Sequence, residues 1–213
     1  MILITVIMGK TLSGKTYLID KLQNEFKVPR IITSTTRPIR KNEQNDVDYH
    51  FATAKQFHDA IESNRALAVR RYHVINNQIW SYYLNKTDLD ELIHNQKNGI
   101  FILDLKGYLD LETELNQDLK LANNIKLQGL YLDIPLKTRI MRHFDTQRQT
   151  DNDQEFVRRL ADDELNAFTK LNNYATDKDA QQFAKKHHIK VFNENYNIDD
   201  VLDYLYVNNY RKY

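Results

Sequence analysis

Gly9-Lys10-Thr11-Leu12-Ser13-Gly14-Lys15-Thr16 constrains this chain more than any other stretch. It follows the apolar run Ile2–Met8 and precedes Tyr17-Leu18-Ile19-Asp20-Lys21-Leu22, so the order is strand, loop, helix. The loop reads G-x-x-x-x-G-K-T, the Walker A phosphate-binding pattern. Backbone N–H groups of such a loop, with those of the helix start, converge on a volume that suits an anion. The whole octapeptide Gly9, Lys10, Thr11, Leu12, Ser13, Gly14, Lys15 and Thr16 is the expected cradle for a nucleoside triphosphate. Lys15 would reach its β/γ-phosphates and the Thr16 hydroxyl would face Mg²⁺. Leu12 stands where P-loops often carry another glycine, so the backbone there has less freedom.

The bulk composition is ordinary for a soluble globular protein. The chain has 213 residues, 41% hydrophobic and 28% charged, enough for one compact domain with insertions or two small ones. A net charge of +1 gives no case for a nucleic-acid polymer or a membrane surface as partner. With no cysteine, disulfides, a thiolate nucleophile and a Cys-ligated metal are excluded. The N-terminal apolar run is too short to span a bilayer and lacks a charged leader, which leads us to expect a cytoplasmic protein.

In chain order, residues 15–26 have helical spacing, and Val28-Pro29 breaks them. Arg30–Ser34 reads as a β-type run, which would start a βαβ unit and a parallel sheet. Residues 54–64 read as a helix. Residues 66–74 and 78–83 read as two strands with Asn76-Asn77 as the hairpin turn. A helix begins near Thr87. Ile100–Asp104 and Leu127–Asp133 read as buried strands, and a long helix runs from Asp153 to about Tyr174. Ile189–Glu194 is a last strand and turn, and residues 198–210 a closing helix.

A second cluster lies between Ser34 and Phe51. Arg37 and Arg40 follow the hydroxyls Ser34, Thr35 and Thr36, and Tyr49 comes later. Guanidinium forks bind phosphate bidentately and hydroxyls add neutral donors, as a second phosphorylated molecule requires. This stretch resembles the signature TTRxxRxxExxGxDYxF of guanylate kinases, matched at Thr35, Thr36, Arg37, Arg40, Glu43, Asp48, Tyr49 and Phe51. Asp46 stands where the family usually has Gly. The resemblance implies a three-layer α/β P-loop kinase with a parallel-sheet core. The core would comprise residues 1–33 and 85–213, with a lid at about 143–153 and an inserted monophosphate-binding domain at 34–84. It implies ATP and Mg²⁺, with GMP or dGMP as acceptor, in a monomer or homodimer.

The resemblance also distributes roles. Ser34, Arg37, Arg40, Tyr49 and Tyr82 would hold the acceptor nucleotide. Asp104 would contact that nucleotide or Mg²⁺, directly or through water; its alternative is a cap for the following helix. Lys15, Arg37 and the lid arginines Arg142, Arg148 and Arg159 would neutralise charge on the transferring phosphoryl group. Asn193 would lie beside the adenine, or merely end a strand. The family's base-reading Glu is absent, Ala68 or Val69 standing at its place. Arg71 then offers either a different base contact or a solvent-facing strand side chain. Two alternatives follow: a kinase of a different or broader nucleotide range, and a non-catalytic guanylate-kinase-like protein-binding module.

Overall fold

The computed structural model describes residues 1–41, 43–74, 77–145 and 153–207. Strand β1 (Ile2–Gly9) is buried along its whole length, as a central parallel strand must be. It pairs in parallel with β6 (Gly99–Ile102) on one side and β7 (Ile125–Asp133) on the other, and β7 pairs in parallel with β8 (Ile189–Asn193). The order is β6-β1-β7-β8. Side chains of β1 alternate between two cores. Ile2, Ile4, Val6 and Met8 pack with Tyr108 and Leu111 of α4 (Leu105–Gln117), whereas Leu3 and Ile7 pack with Leu18 and Leu22 of α1 (Lys15–Phe26) and Val201 of α9 (Ile198–Val207). The result is helix, sheet, helix: three layers.

A second sheet has the order β3-β2-β5-β4, from β2 (Ser34–Thr35), β3 (His50–Phe51), β4 (Ala66–His73) and β5 (Ile79–Asn85). Helix α2 (Ala54–Glu62) starts at a Thr53/Gln56 capping box, and α3 (Lys86–His94) continues directly from β5. The expected β-run at 30–34 is divided between the sheets. Arg30 makes a single parallel bridge to Ile100, and Ser34 opens β2. Pro29 lacks an N–H and restricts Val28, which limits the ladder at that edge.

Strand β4 carries a bulge. Leu67 faces Leu84 but Arg70 faces Tyr82, so one extra residue lies between them, and Ala68 takes φ 50°. The turn expected at Asn76-Asn77 falls partly outside the described residues.

Helices α5 (Leu119–Asn124), α6 (Leu136–Asp145), α7 (Asp153–Asp162) and α8 (Lys178–Lys186) complete the fold. The long helix expected from Asp153 is interrupted: α7 ends at Asp162, a π turn spans Asp163–Ala167 and a 3₁₀ turn spans Thr169–Leu171. The phase shift leaves Leu165 71% exposed while Phe168 and Leu171 stay buried.

Candidate active site

The phosphate loop follows β1 at the carboxyl end of the parallel sheet, where ligands of open α/β sheets bind. Gly14 takes φ 100° at the entry to α1, and Ser13 N–H closes on Lys10 O at 3.1 Å. Leu12 adopts φ 63° despite its Cβ, so a left-handed residue is required where this chain has leucine. The loop is braced from behind. Arg139 of α6 is fully buried and donates to Ile134 O (3.0 Å), Thr11 O (3.2 Å) and Glu164. Arg142 Nη1 donates to Leu12 O at 3.1 Å. From the π turn, Asp163 accepts the Thr11 N–H at 2.5 Å and Glu164 accepts from Lys10 Nζ at 2.9 Å. The π turn puts two consecutive carboxylates onto one loop.

Lys15 Nζ donates to Gly9 O (2.7 Å) and Lys10 O (3.0 Å), two neutral acceptors. Burial lowers its pKa to about 8, against the attraction of Asp163 and with the repulsion of Arg159 and Arg139.

A cavity of about 400 Å³ joins this loop to the second sheet. Gly9, Thr11 and Lys15 line it together with Arg37, Arg40, Tyr49 and Tyr82, and Arg158 and Arg159 of α7 also border it. Arg37 is nearly buried, its guanidinium paired with Glu43 at 2.7 and 2.9 Å. Its Nη1 also donates to Pro38 O (2.8 Å) and its Nε to the Tyr82 hydroxyl (3.2 Å). Four of its five N–H groups are thus engaged. Tyr49 lies edge-on to Tyr82 at 5.9 Å and packs against the Arg37 guanidinium at 5.3 Å. Burial, reinforced by Tyr82, raises the Tyr49 pKa.

Asp104 also lines the cavity, just beyond β6. It caps α4 through Gly107 N–H (2.6 Å), accepts from Arg70 Nε (2.9 and 3.1 Å) and from the Tyr72 hydroxyl (2.5 Å). Three donors thus share its two oxygens, and the bond from Gly107 N–H is the helix cap named as the alternative role of Asp104. Thr16 fits the expected Mg²⁺ role: its hydroxyl makes no hydrogen bond to the described residues and it sits in the first turn of α1.

Other expected residues lie elsewhere. Ser34 is buried in β2 and does not line the cavity; its neighbour Thr33 does. Asn193 ends β8, where its side chain accepts Asn195 N–H at 3.0 Å in a strand-end turn. Lys10, Leu12, Ser13, Thr16, Asn193 and Arg142 are not among the lining residues. Arg148 and most of the 143–153 segment lie outside the described residues. Arg71 faces Phe57 at 5.3 Å and is exposed, so it is Arg70 that borders the cavity. Sequence reading missed Arg70 and Tyr72 because the bulge at Ala68 offsets the alternation of β4. It also missed Asp163 and Glu164 and the grip of Arg139 on the loop, which arise through tertiary contacts alone.

A three-layer parallel sheet with a lysine-bearing phosphate loop, facing arginines from a second sheet across one cavity, defines a P-loop nucleotide-binding fold of the kinase type. The family description "Guanylate kinase" matches residues 2–185, and the chain belongs to the guanylate kinase family, a family of phosphotransferases acting on nucleoside monophosphates. It is 28% identical over 189 residues to the guanylate kinase of Malacoplasma penetrans, covering 82% of this chain and 93% of that protein. To a guanylate kinase of Campylobacter jejuni it is 31% identical over 107 residues, 49% of this chain and 50% of that protein. Its fold superposes on the crystal structure of guanylate kinase from Anaplasma phagocytophilum with a TM-score of 0.58 at 13% identity, covering 96% of this chain and 82% of that one. Among the described residues, no helix is long and apolar enough to cross a membrane.

Proposed function

We propose that this protein transfers the γ-phosphoryl group of ATP to a nucleoside monophosphate, with GMP or dGMP as the favoured acceptor. The observation that carries this reading is the single cavity lined both by Lys15 of the phosphate loop and by the Arg37/Arg40 pair. In this reading residues 34–84 form the acceptor domain, residues about 143–153 the lid, and the reaction runs in the cytoplasm.

The triphosphate would take the loop N–H groups, and Lys15 would exchange its two carbonyl partners for phosphate oxygens. The Thr16 hydroxyl would hold Mg²⁺, which would supply positive charge to the triphosphate. Arg40 and Arg37 would hold the acceptor phosphate in line. An acceptor oxygen bonds to the γ-phosphorus as the bond to the β-bridging oxygen breaks, and ADP leaves with the electron pair. No protein nucleophile is needed, because alignment and charge lower the barrier. Arg159 and Arg158 border the same cavity and would add charge from α7; Arg142 acts through the loop carbonyl it binds.

A coupled assay of ADP production across ribo- and deoxynucleoside monophosphates tests this. Turnover of GMP or dGMP is expected. ATP binding with no turnover of any monophosphate would favour the protein-binding module. The absence of a carboxylate at Ala68 and Val69 favours the second enzymatic reading, a different or broader acceptor range.

A further inference from the structure

If the phosphates take Lys15, Arg37 and Arg40, the base is left to the other lining residues. Tyr72, Trp80 and Arg70 are among the lining residues that remain, with Asp104 and Lys106. Flat aromatic rings suit a nucleobase, and the polar groups beside them decide which one. Asp104 offers little to a base: its oxygens already accept from Gly107, Arg70 and Tyr72, and its charge is paired with Arg70. Arg70 is different. Its Nε is committed to Asp104 and its guanidinium packs 5.6 Å from the Tyr72 ring, yet its Nη groups make no hydrogen bond to the described residues. The ion pair therefore holds the guanidinium rigidly at the cavity wall with four N–H donors to offer.

A wall of donors reads acceptors. Two adjacent acceptors on one base edge match a guanidinium fork, as O6 and N7 of a 6-oxopurine do. Adenine places an amino donor beside N7, and uracil separates its carbonyls by an N–H; cytosine also pairs two acceptors, O2 and N3, and membership of the guanylate kinase family decides for the 6-oxopurine. Resting on the kinase reading above, we propose that Arg70 is the base-reading residue, and that it takes 6-oxopurine monophosphates by their O6/N7 edge. The exocyclic amino group of guanine then goes unread, and IMP is accepted with GMP.

Trp80 is the only tryptophan and lines the cavity, so its fluorescence reports binding without turnover. The full chain is titrated with GMP, IMP, 7-deaza-GMP, AMP and CMP, and the same series is assayed for phosphorylation. GMP and IMP should bind within about threefold of each other, less than one lost hydrogen bond would cause. Loss of N7 in 7-deaza-GMP should weaken binding about tenfold or more, and AMP should bind more weakly still. In Arg70→Ala the penalty for 7-deazaguanine should vanish; Arg70→Lys, which keeps the charge beside Asp104 but loses the fork, should reduce it.

GMP bound tenfold tighter than IMP, with 7-deaza-GMP unaffected, would overturn the assignment, and so would CMP bound more tightly than both 6-oxopurines. The predicted order of binding without phosphorylation would leave the base assignment standing and sink the kinase reading. Phosphorylation with the wrong order would do the reverse. No binding by any of these nucleotides would sink both.

Discussion

Replacing Glu43 with alanine tests whether the acceptor arginine is held by its ion pair. Arg37 and Glu43 meet through two parallel charge-assisted bonds of 2.7 and 2.9 Å, with side chains 3% and 16% exposed. Removing one partner of a buried pair destabilises by about 3–5 kcal/mol. Glu43 has some access to water, which places Glu43→Ala near about 3 kcal/mol, the stranded guanidinium being the main term. Arg37→Ala should lose about 2 kcal/mol, because the freed carboxylate keeps the Arg40 N–H at 2.9 Å and can reach water. The double variant should lose about 3 kcal/mol rather than the additive 5, a coupling of about 2 kcal/mol. Urea denaturation of the four proteins at pH 7 measures it. The Glu43 carboxyl lies below the usual carboxylate range, its desolvation outweighed by its bonds from Arg37 and the Arg40 N–H. Its contribution is therefore complete above the unfolded value of about 4.3 and lost as pH falls through the lowered folded value. Repeating the cycle at acid pH should shrink the coupling. Additivity within about 0.5 kcal/mol at pH 7 would refute the reasoning.

Other substitutions probe the phosphate loop. Lys15→Ala should lower kcat by about 10²-fold or more with folding intact by circular dichroism, since it removes a cation from the transferring group. Gly9→Ala would place a Cβ 2.4 Å from Ser13 Oγ and 3.1 Å from the backbone oxygen of Leu132; thermal melts should show a loss of about 1–3 kcal/mol, and kinetics a raised KM for ATP. Arg139→Ala should destabilise by about 3–5 kcal/mol, because it leaves Glu164 with Lys10 alone and takes the side-chain donors from the Thr11 and Ile134 carbonyls; denaturant titration checks this.

Legibility followed locality. The phosphate loop was readable because glycine, lysine and threonine spacing fixes a backbone shape within eight residues. Leu12 is instructive: the sequence flagged a missing glycine, and the structure still demands a left-handed residue there. The arginine pair was readable too, but not the closure of Arg37 around Glu43, Pro38 and Tyr82. Two features escaped because neither has a local signature. The bulge at Ala68 replaced Arg71 by Arg70 at the cavity, and the π turn after Asp162 broke a helix whose apolar spacing looked continuous. Asp104 was offered as cap or ligand contact; its caps and clamps come from Gly107 nearby and from Arg70 and Tyr72 on a distant strand.

The π turn also has a mechanical consequence. Asp163 grips the Thr11 amide while Glu164 takes Lys10 and Arg139, so α7 and the nucleotide loop cannot shift independently. A polyphosphate that claims the Thr11 N–H must evict Asp163, a carboxylate of the turn that closes α7. By reciprocity, whatever tightens or slackens that helix retunes the grip on the incoming nucleotide, with no need to touch it.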